Sequence, residues 1–152
     1  MENKRLYGMI CYLQRQMHRE NNNLFAEYGI NPVQMHALTY VYLRTKEGKN
    51  VCQKDIEKHI NLRASSVSTL LRGLEKNGFI SRTQSVGDAR TKFVKVTEEG
   101  KYICIKNKLL MDKCDAVIQS ALTEEEQVNF KNLLDKIIAE IEKPEKEVKT
   151  DG

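Results

Sequence analysis

This 152-residue chain lacks any long apolar segment. No hydrophobic run approaches the roughly 20 residues that a membrane-spanning helix needs. Its N-terminus leads into an amphipathic segment, whereas a secretion signal needs an uninterrupted apolar stretch there. We therefore expect a cytoplasmic protein without a membrane partner.

Metal-binding motifs are also missing. The four cysteines form no CxxC pair and have no histidine at zinc-finger spacing. The histidines His18, His36 and His59 fall in different predicted helices, without a carboxylate or cysteine partner at helical spacing. Cys104 and Cys114 lie ten residues apart on one predicted helix, about 15 Å, which exceeds the reach of a disulfide. The sequence thus predicts no metal, no cofactor and no disulfide between these two cysteines.

Catalytic signatures are absent as well. The chain has no glycine-rich phosphate loop, no HExxH sequence and no nucleophile elbow. Its length, with 40% hydrophobic residues, suits one domain with a core and helical extensions. We expect a single domain that is not an enzyme.

Charge is distributed unevenly along the chain, although its net value is only +4. Residues 60–97 hold seven basic side chains and two acidic ones, whereas residues 121–152 hold nine acids and five lysines. A positive central segment followed by a negative tail is expected when only the middle of the chain meets a polyanion.

Residues 65–97 have the pattern of a winged helix. Four apolar residues fall at i, i+3, i+4 and i+7, the spacing of a buried helical stripe: Val67, Leu70, Leu71 and Leu74. The other face carries short hydroxyl and basic side chains: Ser65, Ser68, Thr69, Arg72 and Lys76. Such side chains suit a helix that enters the major groove, because they reach base edges and phosphates without steric exclusion.

A short helix and two strands complete this pattern. Residues 53–60 predict a helix that joins the following helix through a brief turn, as in a helix-turn-helix. Gly78 is placed to close the second helix in the left-handed conformation. Residues 79–84 and 92–97 predict a hairpin whose turn, the wing, spans residues 85–89.

Helices flank this core on its N-terminal side. Apolar spacing predicts one long amphipathic helix over residues 3–27. Asn31, Pro32 and Gln34 predict the start of a second helix, which runs to about Arg44.

The C-terminal third is also predicted to be helical. Thr97 begins a helix that runs to about Ala121, and Thr123 with Glu126 forms a capping box for a last helix. That helix has an apolar band wider than a small monomer covers: Phe130, Leu133, Leu134, Ile137, Ile138 and Ile141. Exposed bands here and on the first helix predict a dimer, and residues 143–152 predict a disordered tail.

These motifs closely resemble the MarR family of winged-helix transcriptional regulators over residues 4–142. The run LLRGLEKNGFISR, residues 70–82, is similar to the family's recognition helix and first wing strand. DxR at 88–90 and VxVTxxG at 94–100 resemble the wing and the segment after it, with Val96 in place of the usual leucine. The resemblance implies a mainly α fold with a small β-hairpin wing, that is, a winged helix-turn-helix flanked by N- and C-terminal dimerisation helices.

The resemblance also implies an organisation and a function. Residues 1–142 are expected to form one MarR-type domain, with a DNA-binding core at 30–97 and dimerisation helices at 3–27 and 98–142. Family members bind pseudo-palindromic operators as homodimers, usually as repressors, and release DNA on meeting a small molecule or an oxidant. We therefore expect a dimeric repressor released by a small hydrophobic or aromatic effector.

By position in the family, a set of residues is expected to contact double-stranded DNA. The recognition helix meets bases and phosphates, Arg90 reaches the minor groove, and Asp88 orients the wing. The complete predicted set is Arg63, Ser65, Ser66, Ser68, Thr69, Arg72, Lys76, Arg82, Asp88, Arg90 and Lys92.

Two kinds of signal are left open. The helices that frame the family's ligand crevice carry an apolar set with a few polar side chains: Met9, Leu13, Met17, Met35, His36, Tyr40 and Tyr102. Alternatively, Cys11 lies near the reactive cysteine of peroxide-sensing members. Its candidate neighbours are Tyr12, Tyr28 and Tyr40. The positions matched to the tyrosines of those sensors hold Phe25 and Met35 or His36, which favours an inert Cys11.

A further alternative is a winged helix that binds another protein. A protein-binding face normally presents large apolar or aromatic anchors. The predicted recognition helix instead presents hydroxyl groups and Arg72, which favours DNA as the partner.

Overall fold

A computed structural model of the chain describes residues 5–143. Its helices are α1 (Leu6–Met17), α2 (Arg19–Tyr28), α3 (Pro32–Lys46), α4 (Gln53–Ile60), α5 (Ala64–Lys76), α6 (Glu98–Ala121) and α7 (Glu124–Ile141). Its strands are β1 (Val51–Cys52), β2 (Ile80–Ser85) and β3 (Asp88–Val96). The chain divides after Met111, within α6, into two compact units. The mainly α architecture with a small antiparallel sheet confirms the predicted fold class.

The buried face of α5 lies at the centre of the core. Val67, Leu71 and Leu74 are at most 1% exposed. They belong to a cluster that includes Leu38 of α3 and Ile56 of α4. Burying one such side chain contributes about 1.5–3 kcal/mol, so this stripe fixes how α5 is rotated about its axis. The predicted stripe is confirmed.

A glycine turn ends α5, as predicted. Gly78 has φ +79°, and its N–H donates to the Glu75 carbonyl at 3.0 Å. The Phe79 N–H donates to the Leu74 carbonyl at 2.9 Å, which completes a Schellman motif. This turn directs the chain into β2.

The sheet has the order β1-β3-β2, and both pairings are antiparallel. β2 and β3 join through a two-residue turn at Val86 and Gly87, because Ser85 already pairs with Asp88. The predicted turn over residues 85–89 is therefore wrong. Gly87 has φ +109°, which lets the chain reverse within two residues. The second wing strand, β3, therefore begins at Asp88, whereas residue 92 was predicted. The sequence patterns also missed β1, which is two residues long and pairs with β3.

The N-terminal segment forms two helices where one was predicted. α1 ends at Met17 and α2 begins at Arg19, because His18, at φ −86° and ψ 2°, leaves the helical conformation. No proline or glycine lies at this break, so the apolar spacing over residues 3–27 does not reveal it. Residues 3 and 4 lie outside the described part of the chain.

Side-chain caps begin α3 and α7 at the predicted residues. Asn31 Oδ1 accepts from the Gln34 N–H at 2.8 Å, and the Gln34 side chain accepts from the Asn31 N–H at 3.0 Å. Thr123 and Glu126 form the equivalent pair at the start of α7. Such caps contribute about 1 kcal/mol each and fix where both helices begin. α3 ends at Lys46, slightly beyond its predicted end.

The predicted tail over residues 143–152 lies almost wholly outside the described residues, of which Lys143 is the last. Within residues 5–143, no helix combines the length and the apolar content that a membrane crossing demands.

Gly100 is buried at the start of α6. A Cβ atom on this residue would lie 2.2 Å from the Phe79 carbonyl oxygen and 2.6 Å from Val96 Cγ1. Nearby, Thr97 Oγ1 donates to the Gly78 carbonyl at 2.6 Å and accepts from the Gly100 N–H at 3.1 Å. Only glycine therefore lets α6 begin this close to the backbone that leads into β2.

We predict that Gly100→Ala lowers the free energy of unfolding by about 2 kcal/mol or more, because the backbone at Phe79 must move to admit a methyl group. Urea denaturation followed by circular dichroism measures the change. Gly8→Ala is the matched control, because Gly8 lies in α1 and no atom outside its own stretch of helix backbone lies within 4 Å of its Cβ position. We expect that control to be neutral or stabilising. Equal stability of the two variants would contradict the predicted clash.

Candidate nucleic-acid interface

The solvent face of α5 presents hydroxyl and basic side chains together. Its exposed members, including the N-cap residue, are Arg63, Ser65, Ser66, Thr69, Arg72 and Lys76. Thr69 Oγ1 donates to the Ser65 carbonyl at 3.1 Å. Arg72 Nε donates to the Ser68 carbonyl at 3.4 Å. These bonds hold both side chains along the helix surface.

Ser68 is half-buried and is held by Gln53 of α4. The Gln53 side-chain amide donates to Ser68 Oγ at 2.9 Å. The same nitrogen lies 3.0 Å from Glu57 Oε1 and 3.3 Å from the Ala64 carbonyl oxygen. Because Ser68 Oγ accepts the bond from Gln53, its own proton is available to donate outward. Gln53, which is absent from the predicted set, thus ties α4 to α5.

A cleft of about 320 Å³ lies between α4 and the wing strands. It is lined by Cys52, Gln53, Lys54, Glu57, Leu71, Arg82, Arg90, Thr91, Lys92 and Val94. Four of these side chains are basic and one is acidic, so the cleft is suited to a phosphate group. Lys54 is not among the predicted residues, because no local sequence signal shows that the first turn of α4 faces the wing.

Arg82 is partly neutralised within the protein. Its Nη2 and Nε atoms lie 3.0 Å and 3.1 Å from Glu75 Oε2 of α5. Only 20% of the Arg82 side chain is exposed. Arg82 therefore joins β2 to α5 and contributes less charge to the cleft than Lys54 or Lys92.

Asp88 organises the tip of the wing. Its carboxylate accepts from the Arg90 N–H at 2.9 Å and from Thr91 Oγ1 at 2.8 Å. The bond from the Arg90 N–H, followed by that from Thr91, lowers the pKa of Asp88. The carboxylate thereby fixes the start of β3, which carries the exposed Arg90.

A second carboxylate organises the start of α4. Asp55 Oδ2 accepts from the Cys52 N–H at 2.9 Å. This hydrogen bond is the main reason that the pKa of Asp55 is lowered. It fixes the helical turn that carries Gln53 and Lys54.

The seven residues predicted to line an effector pocket lie in different surroundings within residues 5–143. Met9 and Leu13 line a groove of about 550 Å³ along α1. Met17 is half-buried at the end of the same helix. Met35 is 3% exposed and belongs to the core, so it is closed to a ligand in this structure.

Tyr102 lines a separate cleft of about 590 Å³. The cleft is bounded by Glu27, Tyr28, Asn77, Phe79, Glu98, Glu99, Tyr102 and Ile103. Beside it, Lys106 Nζ lies 3.3 Å from the Tyr28 hydroxyl and 4.8 Å from the centre of the Tyr102 ring. A hydrogen bond with the Tyr102 side chain, followed by the hydrogen bond with Tyr28, raises the pKa of Lys106. Aromatic rings and charges of both signs therefore lie together here.

Cys11 has a tyrosine neighbour that was not expected. Tyr7, one turn earlier on α1, makes a hydrogen bond with the Cys11 side chain, which raises the pKa of Tyr7. Cys104, by contrast, is buried, and burial raises its pKa to about 12. Cys104 belongs to the core cluster, and a thiol with so high a pKa is unreactive.

The candidate residues on α3 face α4. His36 and Tyr40 are both in the predicted effector set. The His36 Nε2 atom contacts Nε2 of His59 in α4, and the Tyr40 ring stacks on the His59 ring. Tyr28 contacts Lys106, as described above. Tyr28 and Tyr40 therefore have partners other than Cys11.

The helix-turn-helix of α4 and α5, with its three-stranded sheet and basic outer face, defines a winged-helix protein. A model of the MarR family matches residues 30–92. This match, together with the relatives and solved structures below, supports the resemblance of the sequence to the MarR family of winged-helix transcriptional regulators.

Similar proteins agree with this assignment. MepR of Staphylococcus aureus, solved as a complex with DNA, aligns with a TM-score of 0.65 and 27% identity, over 90% of this chain and 97% of that chain. The HTH-type transcriptional regulator PrsX of Escherichia coli is 25% identical over 138 residues, which cover 90% of this chain and 82% of PrsX. The HTH-type transcriptional repressor Mb2911 of Mycobacterium bovis is 24% identical over 110 residues, 72% of this chain and 79% of Mb2911.

We predict that Asp55→Ala lowers the free energy of unfolding by about 1 kcal/mol at neutral pH, because it removes a cap from α4. The pKa of Asp55 is lowered in the folded protein, so its stabilisation is present above about pH 4 and is lost as the pH falls through the folded value. Urea denaturation of wild type and variant from neutral to strongly acidic pH measures this difference. Lys54→Ala, in the same helical turn, controls for truncation of an exposed side chain. A difference that stays constant down to the lowest pH would contradict the electrostatic explanation.

Proposed function

We propose that the chain is a dimeric, sequence-specific DNA-binding regulator. The observation that best supports the proposal is the presence, on one compact unit, of the polar face of α5, the basic cleft and the wing. DNA is a polyanion whose major groove admits an α-helix, so this surface matches it in charge and in shape.

In this proposal α5 occupies the major groove. Ser68, held by Gln53, donates its hydroxyl proton to an acceptor on the DNA, and Arg72 contacts guanine or a phosphate. Arg63 and Lys76 contact phosphates from the two ends of the helix. Since Gln53 bonds directly to Ser68, the orientation of α4 affects what α5 presents to the bases.

The wing contacts the neighbouring minor groove through Arg90. The Asp88 carboxylate holds Arg90 in place by accepting from its backbone N–H. A phosphate between the helix and the wing enters the basic cleft, where Lys54 and Lys92 contact it. The solved complex of MepR with DNA supports this use of a similar fold.

Two apolar bands support a homodimer. On α1, Leu6, Ile10 and Leu13 are 80%, 49% and 50% exposed. On α7, the six apolar side chains from Phe130 to Ile141 are between 37% and 77% exposed. A second copy would remove such bands from water and place two α5 helices about one DNA turn, roughly 34 Å, apart. We therefore propose a pseudo-palindromic operator.

Repression and release by a small hydrophobic or aromatic effector are further parts of the proposal. The similar protein of Mycobacterium bovis is named a repressor. The cleft beside Tyr28 and Tyr102 offers aromatic rings on which an effector can stack. Such an effector need only favour a separation of the two α5 helices that misfits the operator, for which a coupling of about 1–3 kcal/mol suffices.

We predict that Arg72→Ala weakens binding to operator DNA about tenfold or more, because a contact in the major groove is lost. Lys54→Ala and Arg90→Ala are expected to weaken binding. Each is also expected to make log affinity fall less steeply with log salt, by about one in the slope. Fluorescence anisotropy with the DNA upstream of the protein's own gene and with a scrambled duplex, across a salt series, measures both effects.

The matched control for these variants is Lys131→Ala, which removes the same charge from α7, outside the winged helix. We expect this control to bind like wild type. Unchanged affinity and salt dependence in all three test variants would show that the DNA surface is wrongly assigned. Weak wild-type binding to both duplexes, falling equally with salt, would favour a protein partner instead.

We predict that Leu133→Glu raises the dimer dissociation constant at least tenfold, because it places a charge in an apolar interface. Leu133 is 56% exposed in the single chain, so the fold itself tolerates the change. Sedimentation velocity measures the dissociation constant, and circular dichroism checks the helix content. Asn132→Glu, an exposed polar neighbour on α7, is expected to leave the dimer intact. A variant as dimeric as wild type would exclude this face of α7 from the interface.

A further inference from the structure

Two histidines from different helices meet where α3 lies against α4. His36 of α3 and His59 of α4 place their Nε2 atoms 3.2 Å apart. Both residues are exposed to solvent. The proposed DNA surface uses neither of them. They are 23 positions apart in the chain, too far for any local metal-binding motif to reveal the pair.

The separation of the two nitrogens matches that of two ligands on one metal ion. Imidazole nitrogens bound to a tetrahedral zinc at 2.0–2.1 Å lie about 3.3 Å apart. The ring centroids are 5.0 Å apart, less than the nitrogen separation plus two ring radii, so at least one Nε2 lone pair is inclined to the line between the nitrogens. A metal ion shared by both rings requires such an inclination, whereas a direct N–H···N bond is strongest when it is linear.

One of the two rings is held in place before any metal binds. Tyr40 stacks on the His59 ring, with centroids 4.0 Å apart and an angle of 14° between the planes. This stacking holds the His59 ring with its Nε2 atom 3.2 Å from that of His36.

We propose that His36 and His59 form a clamp for a divalent transition metal ion, Zn²⁺ being the probe that tests it. Within residues 5–143, no three or more His, Cys, Asp or Glu side chains are grouped to hold a metal. The chain thus contributes two ligands, water fills the other positions, and binding is weaker than at a structural zinc site. The bound ion joins α3 to α4, the helix whose first turn carries Gln53 and Lys54.

Titration of the full-length protein with zinc chloride tests the clamp. Long-range ¹H–¹⁵N spectra of the imidazoles report whether Zn²⁺ reaches Nε2 of His36 and His59. Thermal unfolding reports whether the ion binds the folded protein, since a ligand of the native state raises the melting temperature. Mg²⁺ prefers oxygen ligands and is expected to have no effect. Neither readout depends on DNA binding, so the clamp and the proposed function can fail separately.

We expect Zn²⁺ to shift the Nε2 resonances of both histidines and to raise the melting temperature. His36→Gln is expected to weaken Zn²⁺ binding at least tenfold, and His18→Gln, which alters the third histidine, to leave it unchanged. His59→Gln also loses the ring that stacks on Tyr40, so His36→Gln is the decisive variant. Undiminished Zn²⁺ binding in His36→Gln would assign the ion to other ligands, the cysteines included, and would overturn the proposal. Unshifted imidazole resonances at millimolar Zn²⁺ would overturn it equally.

Discussion

The burial of one face of α5 is the constraint on which the rest of the structure depends. Val67, Leu71 and Leu74 are almost completely removed from water, and their loss of contact would cost several kcal/mol. This burial sets the rotation of α5, and the opposite face must then be the one that carries hydroxyl and basic side chains. The same core positions α4, from which Gln53 and Lys54 face α5 and the wing. Packing of apolar groups therefore decides which polar groups are presented together.

Carboxylates within this basic surface act as positioning groups. Asp55 holds the first turn of α4, Asp88 holds the wing tip, and Glu75 holds Arg82 between α5 and β2. Each carboxylate interacts with a backbone N–H or with a guanidinium of the protein itself. The exposed bases, Lys54, Arg90 and Lys92 among them, consequently keep their charge for the surface. A phosphate that enters the cleft meets groups that are already oriented, which reduces the entropy lost on binding.

Much of this arrangement could be predicted because its causes are local. The helix caps at Asn31 and Thr123 and the glycine turn at Gly78 depend on residues within a few positions of each other. The buried stripe of α5 follows from helical periodicity, and the MarR resemblance supplied the overall architecture. The break at His18 and the short wing turn could not be predicted, since each depends on one backbone angle. The same holds for β1, the bond from Gln53 to Ser68, and the meeting of His36 with His59, because only the folded chain brings these partners together.

Selection of bound duplexes from a random-sequence DNA pool, using the purified protein, tests the central claim most directly. If two chains present their α5 helices to one duplex, the enriched sequences will contain an inverted repeat with half-site centres about 10–10.5 base pairs apart. Arg72→Ala will then lose that enrichment, because the contact that distinguishes bases is gone. A pool that stays random after repeated selection, or a single half-site without a repeat, would contradict a dimeric regulator that recognises DNA through α5.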